Sequence, residues 1–245
     1  MSEAISYTHT TKIHNTRAAT IVVPHLLQLF RVDSVLDVGC GLGTWLTVFR
    51  DKGVTDIVGL DGSNVDMSMI CIPPENFRVH DLRTEFDLQR RFDLVLCLEV
   101  AEHLPESCAE PLVASLCRHS DHIVFSAAIP GQGGQNHINE QWPEYWRSLF
   151  EREGYTMLDV IRPTIWNNPG VDAWYRQNMF VYTKDRESVS MDTQKVQMAE
   201  IHPVFWLSKV EALAKQADAF DQGRVGIRRS FRALVNAIWN KLKRR

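Results

Sequence analysis

Ser34-Val-Leu-Asp-Val-Gly-Cys-Gly-Leu-Gly-Thr44 is a short apolar run that ends in three alternating glycines and leads into a second apolar stretch, Thr44 to Lys52. A bounded apolar run reads as a buried strand, and the following stretch as a helix. Glycines between them let the backbone turn sharply and approach a ligand closely. The spacing is G-x-G-x-G, which differs from the G-x-G-x-x-G of dinucleotide folds. Asp37 precedes the turn, where it could anchor a ligand ammonium or the amides of the loop.

Working outward, the pattern repeats. Thr55 to Leu60 is a second strand ending at Asp61, Phe77 to His80 a third ending at Asp81, and Phe92 to Leu98 a fourth ending at Glu99. A helix is expected over Pro105 to Arg118, a fifth strand over His122 to Ser126, and a polar, Gly-rich loop over Ala127 to Asn139. A helix over Trp142 to Glu153 and strands over Thr156 to Ile161 and Met179 to Thr183 follow. Upstream, residues 17–30 read as a helix kinked at Pro24. Strands alternating with helices predict a doubly wound, mostly parallel α/β sheet of the Rossmann-like kind. Ligands sit at the carboxyl ends of such strands, where these acids collect. Asp61 follows Gly41 by 20 residues, the position of an acid that accepts from ribose hydroxyls. Asp81 could accept from an adenine amino group or act as a turn or cap aspartate.

VLDVGCGLG, GLDGS, VHDL and FDLVLCLEVAEHL, in this order, resemble the successive motifs of class I S-adenosylmethionine (SAM)-dependent methyltransferases over residues 30–185. The resemblance implies a seven-stranded sheet with its last strand antiparallel. It carries ligand roles onto Asp37, Gly39, Gly41 and Gly43 at the methionine end, Asp61 at the ribose, and Asp81 with Leu82 at the adenine. The implied activity is methyl transfer.

Glu99-Val-Ala-Glu102-His103 closes the fourth strand. Two carboxylates and an imidazole this close can bind a divalent cation such as Mg²⁺ or Mn²⁺. His137 or Glu140 of the following Gly-rich loop could complete the set. E-x-x-E-H resembles the pattern of two metal-using groups, one methylating the terminal 2′-hydroxyl of small RNAs and the other catechol hydroxyls in ubiquinone synthesis. Other readings are open: Glu102 as a helix-start acid, His103 as a general base without metal, and His137 as a loop-ordering hydrogen bonder. Glu99, Glu102, His103 and His137 are the candidate metal residues, with Glu102, His103 and His137 the candidates for catalysis. Glu99 also falls near the cofactor.

Trp142, Tyr145, Trp146, Trp166, Trp174 and Tyr175 could form a stacking surface for an acceptor, and Arg162 and Gln177 could join them. Trp146 and Phe150, at i and i+4, read better as packing. The stretch FSAAIPGQGGQNHINEQWPEYW resembles bacterial methyltransferases associated with surface-glycan synthesis, which implies a glycan or small hydroxyl acceptor.

The five cysteines lack paired metal spacing and are read as reduced thiols of a cytoplasmic protein. No signal peptide is expected at the polar N-terminus. Three regions follow: residues 1–30, a SAM-binding domain over 31–185, and 186–245, a linker with helices over 194–220 and 227–243. Net charge is −3, but residues 223–245 hold eight Lys/Arg and no acid. That leaves 19 of the 27 Lys/Arg against all 30 Asp/Glu elsewhere, a net of −11. So acidic a body is a poor nucleic-acid binder. In the basic end, Ile227, Phe231, Leu234, Val235, Ile238, Trp239 and Leu242 fall on one helix face, which fits peripheral contact with an anionic membrane surface or docking on protein.

Overall fold

A computed structural model describes residues 15–186 and 200–222. Seven strands form one sheet: β1 (Ser34–Val38), β2 (Asp56–Asp61), β3 (Phe77–Val79), β4 (Leu94–Leu98), β5 (His122–Ser126), β6 (Thr156–Leu158) and β7 (Phe180–Thr183). Their order is β3-β2-β1-β4-β5-β7-β6. The pairs from β3 to β5 are parallel, while β7 runs antiparallel to both β5 and β6. The doubly wound fold and the single antiparallel strand are therefore as expected.

The strand order reverses between β1 and β4, which pair side by side with Asp37 opposite Leu96. That reversal opens a crevice at the carboxyl ends of the two strands. Both strands are almost fully buried, as a sheet covered on both faces requires.

One face is covered by α1 (Arg17–Leu29) and α2 (Thr44–Asp51), the other by α3 (Ala109–His119) and α4 (Pro143–Arg152). Helix α1 continues through Pro24 and buries Ala18, Ala19, Val22, Val23, Leu26 and Leu29. Each fully buried Val or Leu there stabilises the fold by about 1.5–3 kcal/mol. On the opposite face Trp146 and Phe150 lie 5.1 and 5.4 Å from Phe125, which makes them core residues as their spacing suggests. Of the five free cysteines, Cys71 alone is exposed.

Three segments differ from the sequence reading. The helix expected from Pro105 begins as a 3-10 turn, Glu106–Cys108, before α3. The strand expected to reach Ile161 stops at Leu158, because Asp159 folds back to pair with Arg162 at the start of α5 (Arg162–Ile165). A second short helix, α6 (Ala173–Asn178), precedes β7 and carries side chains that matter for the site.

The chain divides into two compact units, residues 1–200 and 201–245. In the second unit, α7 (Pro203–Asp221) exposes Trp206, Leu207, Val210 and Leu213. The basic helix read over 227–243 lies outside the described residues. Among those described, no helix is long and apolar enough to cross a membrane.

Candidate active site

A cavity of about 710 Å³ opens at the strand reversal. This volume suits a small-molecule site. Asp37, Gly39, Gly41, Asp61, Asp81, Leu82, Glu99, Glu102, His103 and His137 all line it, so the sequence candidates meet in one place. Gly43 does not line it. Its φ of 75° places it in the left-handed region as the N-cap of α2, a conformation that suits glycine. Gly39 is needed for two reasons: φ is 78°, and a Cβ there would stand 2.2 Å from Val100 Cγ2.

The β1–β2 end of the cavity is built around three aspartates in different circumstances. Asp37 is buried at the end of β1, and its Oδ2 has no hydrogen-bond partner. Burial, with a smaller contribution from Asp61, pushes its pKa up to about 8. A buried carboxylate in this state calls for a cationic partner. Asp61 instead accepts from backbone amides, Gly41 N–H at 2.6 Å on Oδ2 and Gly62 N–H at 2.6 Å on Oδ1. It ties the glycine turn to the end of β2. Asp81 receives the Arg83 fork, Nε at 2.8 Å and Nη2 at 2.7 Å, and these hydrogen bonds hold its carboxyl below the usual range. Arg83 was not legible as a site residue in the sequence.

These residues fit SAM. Asp37 would meet its ammonium, Gly39 and Gly41 would admit its methionine end, Asp61 its ribose, and Asp81 with Leu82 its adenine.

The β4 end is assembled from farther apart. Glu99 follows β4 at φ 54°, a left-handed conformation that non-glycine residues seldom adopt. A strained residue of this kind persists only where its surroundings hold it. Its carboxylate accepts from Asn178 Nδ2 at 3.2 and 3.4 Å and from Gln132 Nε2 at 3.2 Å. Gln132 Oε1 in turn accepts from Asn178 Nδ2 at 3.0 Å and Gln177 Nε2 at 3.3 Å. The Gly-rich loop and α6 thus close a polar net around Glu99. Sequence reading missed Gln132 and Asn178; its only signal was the density of amides in GQGGQN and RQN.

Glu102 is fully buried; its oxygens make no hydrogen bond of good geometry, and the Glu102 and Ala128 amides and the Glu99 carboxyl are the polar groups near it. Burial and then the neighbouring Glu99 raise its pKa well above the ordinary range. Its carboxylate lies with His103 and His137 in a group whose donor atoms are within 4.8 Å of one another. The two imidazole rings meet edge to face, 4.9 Å apart. Burial, then His137, lowers the His103 pKa to about 4. Burial thus favours the neutral form of His103, beside a buried carboxyl. Two imidazoles and a carboxylate form a sound donor set for a divalent transition metal. The poorly satisfied oxygens of Glu102 are the structural reason to expect a cation there. Glu99, the fourth nominated metal residue, does not join the group, because the amides engage it.

Glu140, the other loop candidate, lies behind His137. Burial works against its ionisation, but hydrogen bonds from His137 and from the Gly133 and Gly131 amides outweigh it and hold its pKa low. Of the aromatic candidates, Trp174 and Tyr175 line the cavity together with Trp45. Arg162 is a core residue instead. It is buried in an ion pair with Asp159 and stacks 4.2 Å from the Phe180 ring.

A family model described as a methyltransferase domain matches residues 12–160. Among curated proteins, a ubiquinone biosynthesis O-methyltransferase from Rickettsia bellii (strain OSU 85-389) is 37% identical over 75 residues, 29% of this chain and 31% of the relative. A protein of the same description from Alkalilimnicola ehrlichii is 25% identical over 159 residues, 58% of each chain. The chain thus spans about a third to under three fifths of these relatives. Among solved structures, a SAM-dependent methyltransferase from Archaeoglobus fulgidus superposes with a TM-score of 0.51 at 18% identity, covering 71% of this chain and 97% of that one. An amino pentose methyltransferase from Micromonospora echinaspora gives 0.51 at 16% identity, covering 76% and 100%. These structures share the fold. With the family model spanning more than half of its residues, this chain belongs to the methyltransferase-domain family and is built on the class I fold.

Proposed function

We propose that the chain transfers a methyl group from SAM to a hydroxyl of a neutral sugar, glycan or small molecule, with a divalent transition metal such as Mn²⁺ held by Glu102, His103 and His137. The observation that carries this reading is the buried, poorly satisfied carboxylate of Glu102 beside two imidazoles, in the same cavity as the open carboxylate of Asp37. SAM, when bound, supplies an electrophilic methyl on a sulfonium. A cation at Glu102 would supply positive charge that lowers a hydroxyl's pKa and fixes its oxygen.

The chain's own residues do the rest. Asp37 and Asp61 orient the donor. Glu99, immobilised by Asn178 and Gln132, offers a hydrogen-bond acceptor to the incoming hydroxyl compound. Trp174 and Tyr175 wall the cavity. Among the described lining residues Arg83 is the single Lys or Arg, and Asp81 engages it. That environment disfavours phosphate-bearing acceptors, RNA included. The curated relatives carry O-methyltransferase names, which supports oxygen as the acceptor atom. The basic segment 223–245 fits peripheral membrane contact, so deleting it should abolish cosedimentation with anionic liposomes and leave SAM binding unchanged.

The test is transfer from labelled SAM into lysate fractions separated into RNA, small metabolites and polysaccharide. Label should enter polysaccharide or small metabolites, vanish in excess EDTA and return with Mn²⁺. Label in RNA would replace this reading with 2′-O-methylation of RNA, and full activity in EDTA would remove the cation.

A further inference from the structure

We infer that Glu140 is the positioning residue of the cation site: its carboxylate fixes the orientation and tautomer of His137. This rests on the cation reading above. His137 Nδ1 lies 3.0 Å from Glu140 Oε1. The same carboxylate accepts from Gly133 N–H at 2.6 Å on Oε1 and from Gly131 N–H at 2.7 Å on Oε2. An ionised carboxylate only accepts, so the imidazole proton sits on Nδ1 and Nε2 keeps its lone pair.

The ring is held from other sides as well. Nε2 packs over Gly134, where a Cβ would come within 2.1 Å of it. Immediately after His137, the Ile138 and Asn139 amides donate to the Glu102 carbonyl at 2.9 and 3.1 Å. His137 is therefore strung between the backbone of one cation-site residue and a carboxylate that itself folds the loop. Gly131 and Gly133, at φ 83° and 71°, give the loop the turns that bring both amides onto one carboxylate. Metal-binding imidazoles generally donate the N–H of the opposite nitrogen to a carboxylate, a backbone carbonyl or water, and a carboxylate there raises their basicity and fixes their direction. Glu140 matches that arrangement and does not itself line the cavity.

The experiment uses the full-length protein with Mn²⁺ alone as the probe. Free Mn²⁺ is titrated by electron paramagnetic resonance for wild type and Glu140→Gln. SAM affinity and thermal unfolding are followed in parallel. Long-range ¹H–¹⁵N correlations report the His137 tautomer. Glu140→Gln should weaken Mn²⁺ binding tenfold or more, leave SAM affinity within twofold, and lose the single Nδ1–H tautomer. The wild type should show that tautomer with or without Mn²⁺, a readout that does not depend on any variant folding. Mn²⁺ affinity unchanged within twofold in Glu140→Gln overturns the inference, as does an Nε2–H tautomer in the wild type. A wild type that shows the Nδ1–H tautomer yet fails to bind Mn²⁺ overturns the cation reading and keeps the orientation of His137.

Discussion

The two ends of the cavity are made differently. The β1–β2 end takes Asp37, Asp61 and Asp81 from the tips of three successive strands, each beside its own turn. The β4 end takes Glu99 and Glu102 from one strand tip and depends on Gln132, His137, Glu140 and Asn178 from a loop and a helix well along the chain. At the first end the hydrogen bonds span at most 20 residues of sequence, and one carboxylate is left open. At the second they cross between segments, and a buried carboxylate is left poorly satisfied beside two imidazoles. The first arrangement suits a cofactor bound the same way throughout a family. The second can change with a loop, which is where the acceptor would be chosen.

The largest test of this contrast is at Asp61. Asp61→Ala removes two charge-assisted bonds to the glycine turn as well as the ribose partner, each about 1.5–3 kcal/mol. SAM affinity should fall a hundredfold or more by calorimetry. A loss under threefold would place the ribose elsewhere.

Asp37 tests the open carboxylate through pH. Its pKa rises from 3.8 to about 8 on folding, so the folded state holds a proton that the unfolded chain has released. Without ligand, stability therefore falls as pH rises from about 4 to 8. Asp37→Asn should match wild type near pH 4 and unfold at higher temperature by pH 8, a gain on the order of a few kcal/mol. The same variant should bind SAM about tenfold more weakly. If its unfolding temperature tracks wild type across that range, Asp37 is not a buried, unpaired acid.

At the β4 end, Mn²⁺ should raise the unfolding temperature of wild type by binding only the folded state, and Glu102→Gln should abolish that shift. Equal shifts in the two proteins would detach Glu102 from the cation. The smallest effect is expected at Glu99. Glu99→Gln should change Mn²⁺ affinity no more than about threefold, because the Asn178 and Gln132 amides, rather than the cation, engage that carboxylate. A loss as large as that of Glu102→Gln would mean that Glu99 leaves its amides to join the ligands.

What the sequence by itself determined is the sheet and the cofactor end. Strand periodicity, glycine spacing and an acid at each strand tip are properties of adjacent residues, so a one-dimensional reading captures them. Even the distance from Gly41 to Asp61 spans a single helix and strand. Only the tertiary structure decided that Arg162 is buried on Asp159 rather than facing an acceptor, that Gln132 and Asn178 engage Glu99, and that Glu140 stands behind His137 rather than beside it. Each outcome depends on which buried donor meets which acceptor across segments far apart in sequence. Spacing carries no record of such meetings, because burial favours a partner for most polar groups without specifying which one.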